Sequence, residues 1–192
     1  PIFTTDLIAK FQEPIDCDWL LENRIPAILG VGRLSQQKDF ATLIRSIAIV
    51  RQTRPVRLII LGQGEELLHL ENLVKELDLV NDVVFLGFVA NPYAYMFKAQ
   101  MLVMSSVYEG FGNVLVEGML AGTPVVSTNC ESGPSEILAD GKYGNLVAVG
   151  DANGLATAII STLNNPPDPD ILIRRGQEFS LAAALDKYHQ FL

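Results

Sequence analysis

Glu109 and Glu117 stand eight positions apart in Glu109-Gly110-Phe111-Gly112-Asn113-Val114-Leu115-Val116-Glu117, with a glycine-rich turn between them that opens a helix. Such a turn presents free backbone N–H groups and a positive helix end to an anion, while carboxylates accept hydrogen bonds from hydroxyls. Phosphate and sugar of a sugar nucleotide would be read by one element. Upstream, Gly32-Arg33-Leu34-Ser35-Gln36-Gln37-Lys38 places two cations between a strand and a helix. Arg33 can fork onto phosphate oxygens and Lys38 adds a point charge, so together they could neutralise a departing diphosphate.

Each of these residues also has a plainer reading. Glu117 lies in an apolar helical run, where a lone carboxylate needs either a partner such as a ribose diol or a solvated rim. Glu109 is either a cleft carboxylate or a solvated loop acid, and Arg33 and Lys38 either a phosphate site or incidental loop charges. The spacing of the two glutamates, with the cations, favours the ligand reading. Gly62-Gln63-Gly64-Glu65 lacks the third glycine of a dinucleotide fingerprint and has Leu at position 67, so it reads as a turn that lets neighbouring loops approach. Cys130 to Glu136 opens another short helix whose small residues could line the sugar end of the cleft, with Glu136 suiting the helix dipole. His69 and His189 have no metal-ligand set beside them, and no metal site is assigned.

The elements that must carry these residues are six short apolar runs, at Ile28–Val31, Arg57–Leu61, Val83–Leu86, Met101–Met104, Pro124–Ser127 and Asn145–Val147. Helical patterns separate them: Phe40–Arg51, Glu65–Leu77, Tyr93–Lys98, Gly112–Ala121, Ser135–Ala139 and Asn153–Leu163. Alternation of this kind predicts an α/β fold, a doubly wound, Rossmann-like parallel sheet with helices on both faces. Gly32, Gly62, Gly64, Gly87, Gly110 and Gly112 fall at the carboxyl ends of strands, the edge where open α/β sheets bind ligands.

Three parts are expected: residues 1–24 as a linker or lead-in, 25–167 as the nucleotide-sugar-binding domain, and 168–192 as a helical tail set off by Asn164-Asn165-Pro166-Pro167-Asp168-Pro169. Phe179, Leu181, Leu185, Tyr188 and Leu192 give the tail an apolar side that must pack on something. With 49% hydrophobic residues the 192-residue chain can bury one full core. A net charge of −8 and a pI near 4.7 exclude a broad footprint for nucleic acid or anionic lipid. Two cysteines, Cys17 and Cys130, and no apolar run of membrane-spanning length suit a soluble, intracellular protein. A first residue of Pro rather than Met, with no leader pattern after it, reads as a processed or excised piece of a longer chain.

In EGFGNVLVE, followed by GMLAGTPVVSTNCESGPSEIL and preceded by GRLSQQKDF and LIILGQGEE, the chain resembles the C-terminal, donor-binding half of GT-B-type retaining glycosyltransferases of group 1, over about residues 25–192. The resemblance implies that Arg33 and Lys38, beside Gly32, hold the donor diphosphate and that Glu109 acts at the sugar. Gly110, Phe111, Gly112, Asn113 and Val114 would face sugar and phosphates, Glu117 would hold the ribose hydroxyls, and Phe88 and Val89 would contact the base. Gly118 replaces the family's usual Ala. The resemblance further implies metal-independent transfer of a hexose-type sugar, with retention, from a nucleoside diphosphate (UDP favoured) to an acceptor hydroxyl on a glycan or lipid-linked sugar. No other cofactor is called for. The acceptor would come through an N-terminal domain not contained here, in a bacterial enzyme either free in the cytoplasm or peripheral at the inner face of the membrane. A catalytically inactive binding or regulatory module, and an epimerase or phosphorylase on a similar fold, remain as alternatives.

Overall fold

The computed structural model describes residues 6–22 and 24–179; the tail positions Leu181, Leu185, Tyr188, His189 and Leu192 lie outside them. Six parallel strands, β1 Ala27–Val31, β2 Arg57–Leu61, β3 Val83–Gly87, β4 Met101–Met104, β5 Val125–Thr128 and β6 Asn145–Val147, form one sheet in the order β3-β2-β1-β4-β5-β6. Every strand lies within a residue or so of its sequence-derived position, and three coincide. Helices α3 Phe40–Arg51, α4 Leu67–Glu76, α5 Pro92–Lys98, α6 Asn113–Leu120, α7 Pro134–Leu138 and α8 Ala152–Asn164 follow the strands in turn.

Both faces of the sheet are apolar because successive side chains point opposite ways. Ile28, Leu58, Ile60, Met101 and Val103 pack under α3, α4 and α8. Their neighbours Leu29, Ile59, Leu61, Leu102 and Met104 pack on the other face, with α5, α6 and α7. Each such fully buried aliphatic side chain contributes about 1.5–3 kcal/mol relative to exposure. Gly30 interrupts β1 for a packing reason: a Cβ there would come within 2.9 Å of the Phe40 ring.

Local capping fixes where helices start. Asp39, in the left-handed region at φ 45°, accepts from the Thr42 N–H and begins α3 directly after a 3-10 turn at Gln36–Lys38. Asp168 caps α9 Pro169–Gln177, so Pro169 stands at the first helical turn, where its missing N–H is not needed. The proline-rich stretch therefore ends one helix and begins the next. Residues Asp6–Phe11 and Asp18–Leu21 form α1 and α2, which are not evident in the sequence pattern. They join the second apolar layer through Phe11, Cys17 and Leu20.

Helix α3 covers one face and α6 the other, so the chain reverses its winding between the adjacent strands β1 and β4. Ligands of open α/β sheets sit in the crevice at the carboxyl ends of such a strand pair.

Candidate donor site at the carboxyl edge of the sheet

The loop after β1 is shaped by bare glycines. A Cβ on Gly32 would lie 3.3 Å from Cε of Lys38, so the lysine stem runs along the space glycine leaves. Cβ atoms on Gly62 and Gly64 would come within 1.8 Å of Gly32 O and 2.2 Å of Leu34 O. These two glycines let the loop after β2 lie directly on the loop after β1, as the turn reading requires. Glu65 is thereby brought to Arg33, whose Nη2 stands 3.1 Å from Glu65 Oε2. The pair is exposed. A backbone hydrogen bond, then the hydrogen bond from Arg33, hold the Glu65 carboxyl below its ordinary range.

Lys38 reaches the other way. Its Nζ lies 2.5 Å from Oε1 of Glu109, and both side chains are largely buried, 21% and 9% exposed. The Ser106 hydroxyl donates to the same carboxylate oxygen at 2.6 Å. Three further bonds stitch the two loops together: Ser105 Oγ to Lys38 O, the Val107 N–H to Gln37 O, and the Gln37 side-chain amide to Tyr108 O. Removing one member of so buried a pair leaves the other charge unpaired, at a cost of about 3–5 kcal/mol. Lys38 and Glu109, assigned separately to phosphate and sugar from the sequence, form one hydrogen-bonded unit with Ser106.

Helix α6 is preceded by Gly112, at φ 93°, which offers no side chain to the first-turn N–H groups. Its amino end is open to an anion. Phe111 is half-buried and packs edge-on against Phe179 at 5.7 Å between centroids. Gly133 backs its main chain so closely that a Cβ there would fall 1.6 Å from Phe111 O. At Gly110, by contrast, an added Cβ would meet nothing within 4 Å. A Tyr108–Glu131 bridge and this Gly133 contact place the Cys130–Glu136 segment beside the same loop. Burial, then the neighbouring Glu109, push the Cys130 thiol up.

Further along α6, Glu117 is half-buried, and burial raises its carboxyl above the ordinary range, although a hydrogen bond from the Tyr93 hydroxyl opposes the rise. A mainly apolar cavity of about 330 Å³ opens at the carboxyl ends of β1, β2 and β3, lined by Gly32, Arg33, Gln63, Phe88, Val89 and Pro92 among others. A larger cavity, about 500 Å³, lies at the opposite, amino edge of the sheet between Pro26, Pro55 and Asn164. Size alone would select it, but the glycine loops and the paired carboxylates are not there. Among the described residues, no three His, Cys, Asp or Glu side chains gather as a metal set, and no helix is long and apolar enough to cross a membrane.

The structure thus brings Gly32, Arg33, Lys38, Val89, Glu109, Gly110, Phe111, Gly112, Asn113 and Val114 to loops and helix starts at the carboxyl ends of the strands, with Glu117 a turn further along α6. Sequence reasoning missed three partners: Ser106 on Glu109, Glu65 on Arg33 and Tyr93 on Glu117. Glu65 had a signal, its place after the Gly62–Gly64 turn; the other two depend on strand order. Gly118 has a packing role, since an added Cβ would sit 3.2 Å from Val125 Cγ1. The gain in helix propensity from Ala, about 1 kcal/mol, would be set against that contact.

The sequence profile of the family "Glycosyl transferases group 1" matches residues 13–179, and the chain belongs to that family. It is 41% identical over 138 residues to the N-acetylgalactosamine-N,N′-diacetylbacillosaminyl-diphospho-undecaprenol 4-alpha-N-acetylgalactosaminyltransferase of Campylobacter jejuni, covering 72% of this chain and 37% of that protein. To the lipopolysaccharide core biosynthesis glycosyltransferase LpsE of Rhizobium meliloti it is 35% identical over 189 residues, covering 96% of this chain and 52% of the other. The crystal structure of HepE from Anabaena in complex with UDP superposes with a TM-score of 0.79 at 25% identity, over 98% of this chain and 53% of HepE. The chain therefore spans about half the length, or less, of these relatives, and its sheet is the half-domain of a GT-B fold.

Proposed function

We propose that this chain is the donor-binding half of a retaining glycosyltransferase that moves a hexose-type sugar from a nucleoside diphosphate to an acceptor hydroxyl. The observation that carries the reading is the meeting of Arg33, Lys38, Glu109 and the open amino end of α6 at the reversal point between β1 and β4. In this reading the diphosphate exchanges with Glu65 for the Arg33 guanidinium and lies against the α6 amides, where it is stabilised as it departs. Glu109, oriented by Lys38 and Ser106, faces the sugar. Gly110, whose missing Cβ would touch no protein atom, leaves room for the ring. The base enters the 330 Å³ cavity at Phe88 and Val89, and Glu117 accepts from the ribose hydroxyls. UDP is the favoured nucleotide, in keeping with the UDP held by HepE. The acceptor is supplied by a second domain to which residues 1–24 lead and the tail from 168 returns, in a glycan-building pathway at the inner face of a bacterial membrane.

Calorimetric titration of the chain with UDP, GDP and ADP tests this. Selective binding of one nucleotide, weakened about 10- to 100-fold by Glu117→Ala, is expected for a carboxylate that accepts from a diol. Absence of binding by the folded chain would overturn the reading.

Glu117 also predicts opposite movements in two measurements. Its folded pKa is raised, so the charged form costs stability at neutral pH, and that cost fades as pH falls through the raised value. Glu117→Gln should therefore raise the ligand-free melting temperature at pH 7 and reduce its gain on mild acidification, while weakening nucleotide binding. Equal melting behaviour of the two proteins across that range would refute the assigned burial cost.

A further inference from the structure

We propose that Arg175 of α9 is a positioning residue for the diphosphate site, fixing the Phe111 loop at the amino end of α6 by two routes. The inference rests on the reading of that helix end as the place where the diphosphate lies. The Arg175 side chain is only 15% exposed. Its Nε donates to Ile137 O at 3.0 Å and its Nη2 to Glu136 O at 2.5 Å, while Nη1 pairs with Glu178. The planar fork thus spans two neighbouring carbonyls of α7, which a single ammonium cannot do.

The first route runs through α7, a five-residue helix that starts after Gly133, the residue whose main chain backs Phe111 O. The second runs through rings. The Arg175 guanidinium carbon lies 4.7 Å from the Phe179 centroid, and Phe179 meets Phe111 edge-on at 5.7 Å. Main chain and side chain of Phe111 are therefore both referred to one guanidinium. Helix α9 gives that group a firm base: Leu172 is fully buried, and a Cβ on Gly176 would come within 2.9 Å of Leu120 Cγ on α6. All of these contacts belong to α9 and to the loops and helices after β4 and β5, whereas the base cavity lies on the loops after β1, β2 and β3. Loss of Arg175 should accordingly be felt by the phosphates and not by the base.

The test compares UDP with uridine, which lacks the diphosphate, on the full chain. Calorimetry gives the UDP affinity, and displacement of UDP by uridine gives that of the nucleoside, for wild type, Arg33→Ala, Arg175→Ala and Arg175→Lys. Arg175→Ala should weaken UDP about threefold to tenfold and leave uridine unchanged, so the UDP to uridine ratio narrows. Arg175→Lys keeps the charge but reaches one carbonyl at a time, so its ratio should narrow as well, and it decides the matter if Arg175→Ala does not fold. With Arg33→Ala narrowing the ratio, a wild-type ratio in Arg175→Lys overturns the inference alone, whether both ligands bind normally or weaken alike. A wild-type ratio in Arg33→Ala, or equal binding of UDP and uridine by the wild type, overturns the diphosphate site, and the inference with it.

Discussion

Arg33→Ala in the complete enzyme should lower turnover about 100- to 1000-fold, the scale on which removal of one preorganised charge stabiliser acts. The geometry makes this a clean experiment. Arg33 is exposed, and its partner Glu65 is an exposed carboxylate, so the pair contributes little to stability. An alanine there disturbs no core contact, and unfolding should shift by no more than about 0.5 kcal/mol. On the proposed role, the activity lost is the stabilisation that the guanidinium gives the diphosphate as it leaves. Since that charge grows between ground and transition state, the loss should fall on kcat and kcat/KM alike rather than on KM alone. Steady-state kinetics with donor and acceptor would show it, and turnover within a few-fold of wild type would remove Arg33 from the chemistry. Lys38 offers no such clarity, because its loss also strips the buried Glu109 of its counter-charge.

Gly133→Ala should be the most damaging of the small substitutions. Gly133 stands at φ 101°, ψ −61°, a conformation that costs an L-residue about 1–3 kcal/mol by itself. The added Cβ would also meet main chain, 1.6 Å from Phe111 O and 2.4 Å from its carbonyl carbon, where no rotamer change gives relief. A loss of at least about 3 kcal/mol is expected, read as a lower urea midpoint at unchanged slope. Gly110→Ala on the facing loop is the control, since its Cβ meets nothing within 4 Å, and it should unfold as wild type does. Should the protein relieve the clash by shifting Phe111, stability would recover at the expense of nucleotide binding. Wild-type behaviour in both measurements would show that the two loops do not touch as described.

The sheet was legible from sequence because its four inner strands are buried on both sides and read as short apolar runs, each closed by glycine or a polar turn, while the part-exposed edge strands β3 and β6 keep enough apolar residues to show the same alternation with helices. The helices between them were legible to within two residues. Helices α1 and α2 were not: at six and four residues they are too short to show a period, and they hold their shape through Phe11, Cys17 and Leu20 packing on the domain rather than through propensity. Candidate site residues could be named from the sequence, but not the contacts among them. That Lys38 would meet Glu109 follows only once β1 and β4 are known to be neighbours, and local pattern carries no information on strand order. The Tyr93–Glu117 bond is hidden for the same reason, since it needs α5 laid beside α6.

The Lys38–Glu109 contact joins residues 71 positions apart. One partner belongs to the β1–β3 half of the sheet and the other to the β4–β6 half, so neither half can form it alone. In the course of folding, the contact closes only when both halves have docked, and an opening along the β1–β4 seam at this edge breaks it. A protein built in this way assembles its charged pair as a late product of long-range closure. Formation of the pair therefore reports that the two halves of the sheet have met.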